Sequence, residues 1–403
     1  MGPLPRESDE REAAGAMSSI YLDNNATTRP SSQVVEAMLP YYREHFHNPS
    51  SPYPAAEAVA DALRRARGQV ARLFGAERAD EVTFTSGGTE SIQSAIEAVA
   101  RAATRAADRR TRILTSTVEH SAAKASARRL SEQGFEWVQI DVDREGRLDR
   151  DALFAALDER TALVSLMIAN NETGVCTDLS GVGEACRSAG ARFHLDAVQM
   201  PGKGALDVRA LGADYASLAA HKFHGPKGVG ALYVRSGAPF ESLVVGGPQE
   251  AERRAGTENV PGAIGMGYAA EAARTHGADA DALERMRGLR DRLEAQILAA
   301  VPGACANGAS PPRVPNTTSI TFPTVDADTL LMLLGEAGVA ASAGSACDAK
   351  RRGPSPVLLA MGRSEEDATR TLRFSTSHET TETEIAGAVA AVKASIEALG
   401  SLD

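Results

Sequence analysis

Short, nearly continuous apolar runs alternate along this chain with stretches whose apolar positions recur every three or four residues. The runs EVTFTS (81–86), RILTS (112–116), ALVSLMIA (162–169), RFHLD (192–196), YASLAA (215–220) and GALYV (230–234) have the length and hydrophobicity of strands covered on both sides. Between several of them lie amphipathic segments, beginning with the helical stretch AAEAVADALRRARGQVARLFG that opens at residue 55. The alternation predicts an α/β fold, with a mostly parallel central sheet and helices on both faces. Ligands of such sheets collect beyond the carboxyl ends of the strands. Ser86, Asn171, Asp196 and Lys222 all fall at such ends.

The rhythm changes after about residue 275. A long charged helix, DADALERMRGLRDRLEAQILAAV, is followed by SPPRVPNTTSITF and then by a Gly- and Ala-rich loop around Cys347. This predicts a smaller α+β domain over 276–403, after a large domain over 32–275 and an N-terminal segment, 18–31, that packs with the small domain. Residues 1–17 are polar and small, with no apolar stretch able to act as a signal sequence, and read as a disordered tail.

Composition narrows the function. Against 43 basic residues stand 53 acidic ones, a net charge of -10, which argues against a nucleic-acid groove. The longest apolar run is far short of the roughly 20 residues a membrane-spanning helix needs. The four cysteines form neither a disulfide framework nor a metal-ligand spacing, so a cytoplasmic setting is expected.

Three motifs carry chemistry. TSGGTES places paired glycines between a strand and a helix, leaving backbone N–H groups and the Thr89 hydroxyl at a helix N-terminus, where a phosphate would fit; such a turn serves equally as a plain tight turn. RFHLDAVQ ends a strand with Asp196 and carries Gln199 three residues on. A buried carboxylate there would keep a pyridine nitrogen protonated, although a strand-end aspartate also caps helices. HKFHGPKG sets His221 and Lys222 at the end of an apolar run. An amine so placed suits imine formation, while an isolated strand-end lysine is ordinarily solvated.

Together with YLDNNATT, NPSSPY, VEHSA, NNETGV, RRAGTENV, SAGSAC and LRFSTS, these segments resemble the cysteine desulfurases of the nitrogen-fixation and iron–sulfur type. These belong to the class V aminotransferase group of fold-type I enzymes that use pyridoxal 5'-phosphate (PLP). The resemblance implies Lys222 as the Schiff-base lysine, Asp196 on the pyridine nitrogen, Gln199 near the ring hydroxyl and His120 stacked on the ring. It places Asn171 beside cofactor and substrate, with Gly88, Thr89 and His221 on the phosphate. Thr257 would complete that cradle from the neighbouring subunit of a homodimer.

The implied substrate is L-cysteine, its carboxylate held by Arg373. Lys222 would take the Cα proton, His120 would manage the proton at sulfur, and Cys347 would accept the sulfur as a persulfide and release alanine. An acceptor such as an iron–sulfur scaffold would then take the sulfur. No resident metal is expected; Cys347 is the one candidate for a transient iron–sulfur ligand. Lys350, Arg351 and Arg352 would lower the thiol pKa if they face it, and the adjacent Asp348 would oppose them. Asn316 frames the substrate site or serves a turn.

The chain departs from the family pattern at Ala219, where relatives carry a serine, and at Ala251 and Glu252, where they often carry Arg and Gly. The alternative readings are selenocysteine lyase or another class V PLP reaction, and a non-enzymatic sulfur-transfer scaffold.

Overall fold

The structure, a computed structural model, describes residues 20–105, 110–344 and 353–400. The tail 1–17, Cys347, Asp348 and the basic run 350–352 singled out above lie outside the described residues.

The strands run in chain order as β1 (Ile20–Tyr21), β2 (Val82–Thr85), β3 (Arg112–Ser116), β4 (Glu136–Ile140), β5 (Thr161–Met167), β6 (Arg192–Asp196), β7 (Tyr215–Ala219), β8 (Gly230–Val234), β9 (Cys305–Ala306), β10 (Thr317–Thr321), β11 (Val339–Ala340) and β12 (Thr371–Ser375). Seven of them form one sheet in the order β2-β8-β7-β6-β5-β3-β4. Its neighbours are parallel from β7 to β4, and β8 alone runs antiparallel, between β7 and β2. Each of the six apolar runs is a strand of this sheet. The seventh, β4, escaped the sequence reading because it lies at an edge with only Ile140 buried, so its side chains need no continuous hydrophobicity.

Alternate residues of the buried strands enter two different cores. On one face Ile113, Leu163, Tyr215, Leu232 and Val234 pack against the helices Gly88–Arg105 and Ser121–Ser131. On the other, Leu114, Val164, Leu166, Phe193, Leu195 and Tyr233 pack against Pro54–Phe74, Val182–Ala189 and Val260–Ala278. The sheet therefore has helices on both faces. A third apolar cluster joins Leu22 to the helices Ala280–Ala300, Ala327–Glu336 and Glu382–Gly400 and to the antiparallel sheet β12-β10-β9.

The N-terminal segment ties this cluster to the main sheet. β1 pairs in parallel with β11, and Leu22 is fully buried in the third cluster. The chain then crosses to the lysine turn, where the Thr28 N–H donates to the His221 carbonyl at 2.8 Å and the Ser31 N–H to the His224 carbonyl at 3.1 Å. Among the described residues no helix is long and apolar enough to cross a membrane.

Candidate active site

Every strand of the parallel set except edge strand β4 ends near one cavity. Its wall includes Gly88 and Thr89 after β2, His120 after β3, Asn171 after β5, Asp196 and Gln199 after β6, and Ala219, His221 and Lys222 after β7. Arg373, from the middle of β12, and Asn25, from the N-terminal segment, close it.

The β2–helix turn allows close approach. A Cβ on Gly230, the first residue of β8, would lie 2.6 Å from the Gly87 carbonyl carbon, so only glycine lets β8 pass beneath the turn. The helix Gly88–Arg105 begins at the cavity and directs its free N–H groups there. Ser86, expected among the site residues, is exposed, and its N–H donates to Glu90 Oε2 at 2.8 Å. It belongs to the turn and not to the wall.

Asp196 is buried at the end of β6, where its Oδ1 accepts the Val198 N–H at 3.0 Å. Burial pushes its carboxyl upward, against the pull of His120, the Val198 N–H and Lys222. A cation in the cavity would be stabilised by this group. His120 caps the helix Ser121–Ser131, its Nδ1 accepting the Ala122 N–H at 3.2 Å. The neutral ring therefore carries its proton on Nε2. His221, whose Nδ1 lies 3.2 Å from Thr27 Oγ1, is pushed down to about 4 by burial and by Lys222 and Lys227. Lys222 Nζ donates to the carbonyls of Asn25 and Ala26 at 2.6 and 2.8 Å.

Arg373 is 2% exposed. Its Nη2 donates to Asp23 Oδ1 at 2.5 Å and its Nη1 to the Asn171 carbonyl at 3.0 Å, while its Nε has no hydrogen-bond partner. A fixed guanidinium with an N–H to spare is suited to a carboxylate. Asn316 stands behind the wall, donating to Asn25 Oδ1 at 3.1 Å and to the Thr376 carbonyl at 3.0 Å. It braces the site and does not line it. Thr257 is exposed on the loop before Val260–Ala278 and is absent from the wall.

Sequence reasoning missed Asn25 and Lys203. Asn25 receives Gln199, Lys203, Lys222 and Asn316 and donates to the Asn171 carbonyl and Thr317 Oγ1. YLDNNATT was legible as a motif, but nothing in it said that an asparagine would meet residues hundreds of positions away. Among the described residues no cluster of His, Cys, Asp and Glu is suited to a metal ion.

The donor set fits PLP. Helix N–H groups and an imidazole would suit a phosphate, a buried carboxylate would suit a ring nitrogen, and an amine would suit an aldehyde.

The profile of the family described as aminotransferase class-V matches residues 20–387, and the chain belongs to that family. Within it the chain stands with the cysteine desulfurases. It is 48% identical to a cysteine desulfurase of Cereibacter sphaeroides, over 92% of this chain and 93% of that protein. Among solved structures, a NifS-like protein superposes with a TM-score of 0.86 at 35% identity, covering 94% of this chain and 99% of the other. Another, SspA in complex with cysteine, superposes with a TM-score of 0.78 at 30% identity, covering 90% and 99%.

Proposed function

We propose that this chain removes sulfur from L-cysteine, releases L-alanine, and carries the sulfur as a persulfide on Cys347 to an acceptor protein such as an iron–sulfur scaffold. The observation that carries this reading is the convergence of Lys222, Asp196, His120, Gln199 and Arg373 on one cavity, in a chain whose relatives are cysteine desulfurases.

PLP bound on Lys222 would supply an electron sink that acidifies the substrate Cα–H and loosens the Cβ–S bond. The chain's own groups do the rest. Arg373, held by Asp23, takes the substrate carboxylate, and Asn171 lies beside it. Gly88, Thr89 and His221 would hold the phosphate, Gln199 would face the ring oxygen and Asp196 the ring nitrogen. Lys222, once free of the cofactor, removes the Cα proton. His120, with its proton on Nε2, handles the proton at the substrate sulfur.

The Cys347 thiolate then attacks that sulfur. An S–S bond forms, the Cβ–S bond breaks with its electron pair passing to carbon, and protonation of Cβ together with return of the proton to Cα gives alanine. Cysteine plus thiol become alanine plus persulfide, so the step needs no external oxidant; a reductant or acceptor is needed only to unload Cys347. Cys347 follows Gly344 by three residues, a reach of at most about 11 Å. Gly344 itself is anchored at the site, its carbonyl accepting the Ser342 hydroxyl at 3.1 Å, while Ser342 pairs with Arg373.

A homodimer in which Thr257 of one subunit completes the phosphate cradle of the other accounts for Thr257 standing exposed. The exposed Tyr42 and Phe46, 62% and 70% accessible, suit such burial. A cytoplasmic setting agrees with this use of a free thiol.

The test is to load the purified protein with PLP and supply L-cysteine with a thiol reductant. Alanine and sulfide should form in equal amounts, and Lys222→Ala should lower the rate by at least about a thousandfold, the scale of losing a catalytic base. A protein that binds no PLP, or that yields neither product, contradicts the proposal and favours a scaffold role.

A further inference from the structure

The turn after β6 holds a lysine to which the chemistry above assigns no task. Lys203 is 8% exposed, and its N–H closes a turn onto the Met200 carbonyl at 3.0 Å. Its Nζ donates to Gln199 Oε1 at 2.7 Å and to Asn25 Oδ1 at 3.0 Å. The Asn25 backbone carbonyl can only accept, so the atom of Gln199 that faces it at 3.1 Å is the amide nitrogen, and the atom that meets Lys203 is the carbonyl oxygen. Chemistry thus fixes the orientation of this amide. Gln199 Nε2 gives one N–H to the Asn25 carbonyl at 3.1 Å, and Gln199 lines the cavity. The polar edge left for a ligand is the remaining N–H.

Asn25 cannot easily shift to relieve this arrangement. Its Nδ2 is committed to the Asn171 carbonyl at 3.1 Å and Thr317 Oγ1 at 2.8 Å, and its Oδ1 also accepts Asn316 Nδ2. Burying an amine is costly, and burial, with smaller contributions from Lys222 and Arg373, pushes Lys203 down to about 7. A methionine would fill the space without that cost. What offsets that cost is the pair of carbonyl oxygens Lys203 satisfies, both belonging to residues of the cavity wall.

We propose that Lys203 is a positioning residue for the cofactor: by occupying the carbonyl oxygen of Gln199, it makes Gln199 present an N–H donor to the ring oxygen of PLP. This rests on the reading of Gln199 given above as the neighbour of that oxygen. A donor there stabilises the oxygen as an anion, and polarisation of the amide by Lys203 strengthens the donor. Without Lys203 the buried carbonyl oxygen is left unsatisfied, and the Asn25 carbonyl alone holds the amide in this orientation.

The experiment is a double-mutant cycle on the PLP-loaded protein, read as the pH at which its visible absorbance band titrates. Gln199→Ala and Lys203→Met should each raise that pH by roughly 0.5–1 unit, the size of one lost hydrogen bond, and PLP should dissociate about fivefold more readily from each. In the Gln199→Ala background, Lys203→Met should add no further shift. An equal shift with and without Gln199 overturns the proposal, because Lys203 would then act through its own charge or through the fold. No shift from Gln199→Ala overturns the placement of Gln199, and the proposal with it. If Lys203→Met does not fold, Lys203→Leu, which likewise has no donor, enters the same cycle with the same criterion.

Discussion

Glu119 precedes His120 with its carboxyl wholly enclosed. Oε1 accepts the Ser116 hydroxyl at 2.6 Å and the Met167 N–H at 3.1 Å, and Oε2 has no partner. Burial pushes this carboxyl up to about 8; the two hydrogen bonds and Lys124 pull against that rise, and the Asp196 charge adds to it. Because the folded value lies above the ordinary 4.5, the folded state holds a proton that the unfolded state lacks between those two values. The stability gained is full below about pH 4.5 and is lost as pH rises to about 8. Glu119→Gln, which keeps the shape without the titration, should flatten the thermal midpoint over that window and raise it relative to wild type at about pH 8. Parallel pH profiles for the two proteins would contradict the assignment. Residues of this kind were not legible in the sequence. Lys222, Asp196 and His120 sit in recognisable motifs, whereas the partners of Lys203 and Asn25 come from segments 178 and 292 residues apart, and only the fold brings them together.

At the scale of elements, the six strands of the main sheet with apolar runs could be read directly, and the remaining strands could not. Two of these show why. β4 is an edge strand, and β10 is fully buried yet reads TTSIT. Its hydroxyls are satisfied inside, Thr318 donating to Glu294 Oε2 at 2.5 Å and Thr321 pairing with Thr371 at 2.7 Å, so burial here follows from hydrogen bonding and not from hydrophobicity. The loop that departs from the family at Ala251 and Glu252 carries strain. Glu250, Ala251 and Glu252 have φ of 50°, 55° and 64°, a region unfavourable to residues with a Cβ. Glu250 has a reason to be held there: its carboxylate receives Arg67 Nη2 at 2.8 Å and the Phe84 N–H at 2.9 Å. Glu252 is exposed and has no such reason. Glu252→Gly should therefore raise stability by roughly 0.5–1 kcal/mol in urea unfolding. A loss of stability would contradict the account of that loop as strained.

Over the whole molecule, two cores flank the sheet, and a third binds the C-terminal helices to the segment around Leu22. The segment from Leu22 to Ser31 spans this junction, and Asp23 and Asn25 within it reach Arg373, Lys222 and Gln199. The candidate site is thus built from parts of the chain that are complete only when all three cores are formed. We propose a domain boundary at about residue 275, between the helix Val260–Ala278, which packs on the main sheet, and the helix Ala280–Ala300, which packs in the third cluster. The central claim is that sulfur passes from L-cysteine to Cys347. The most direct measurement is mass spectrometry of the PLP-loaded protein after L-cysteine and before any reductant. The peptide containing Cys347 should gain the mass of one sulfur atom, removable by a thiol, with one alanine released per sulfur bound. A peptide of unchanged mass, or sulfur found on Cys176, Cys186 or Cys305 instead, would contradict the account.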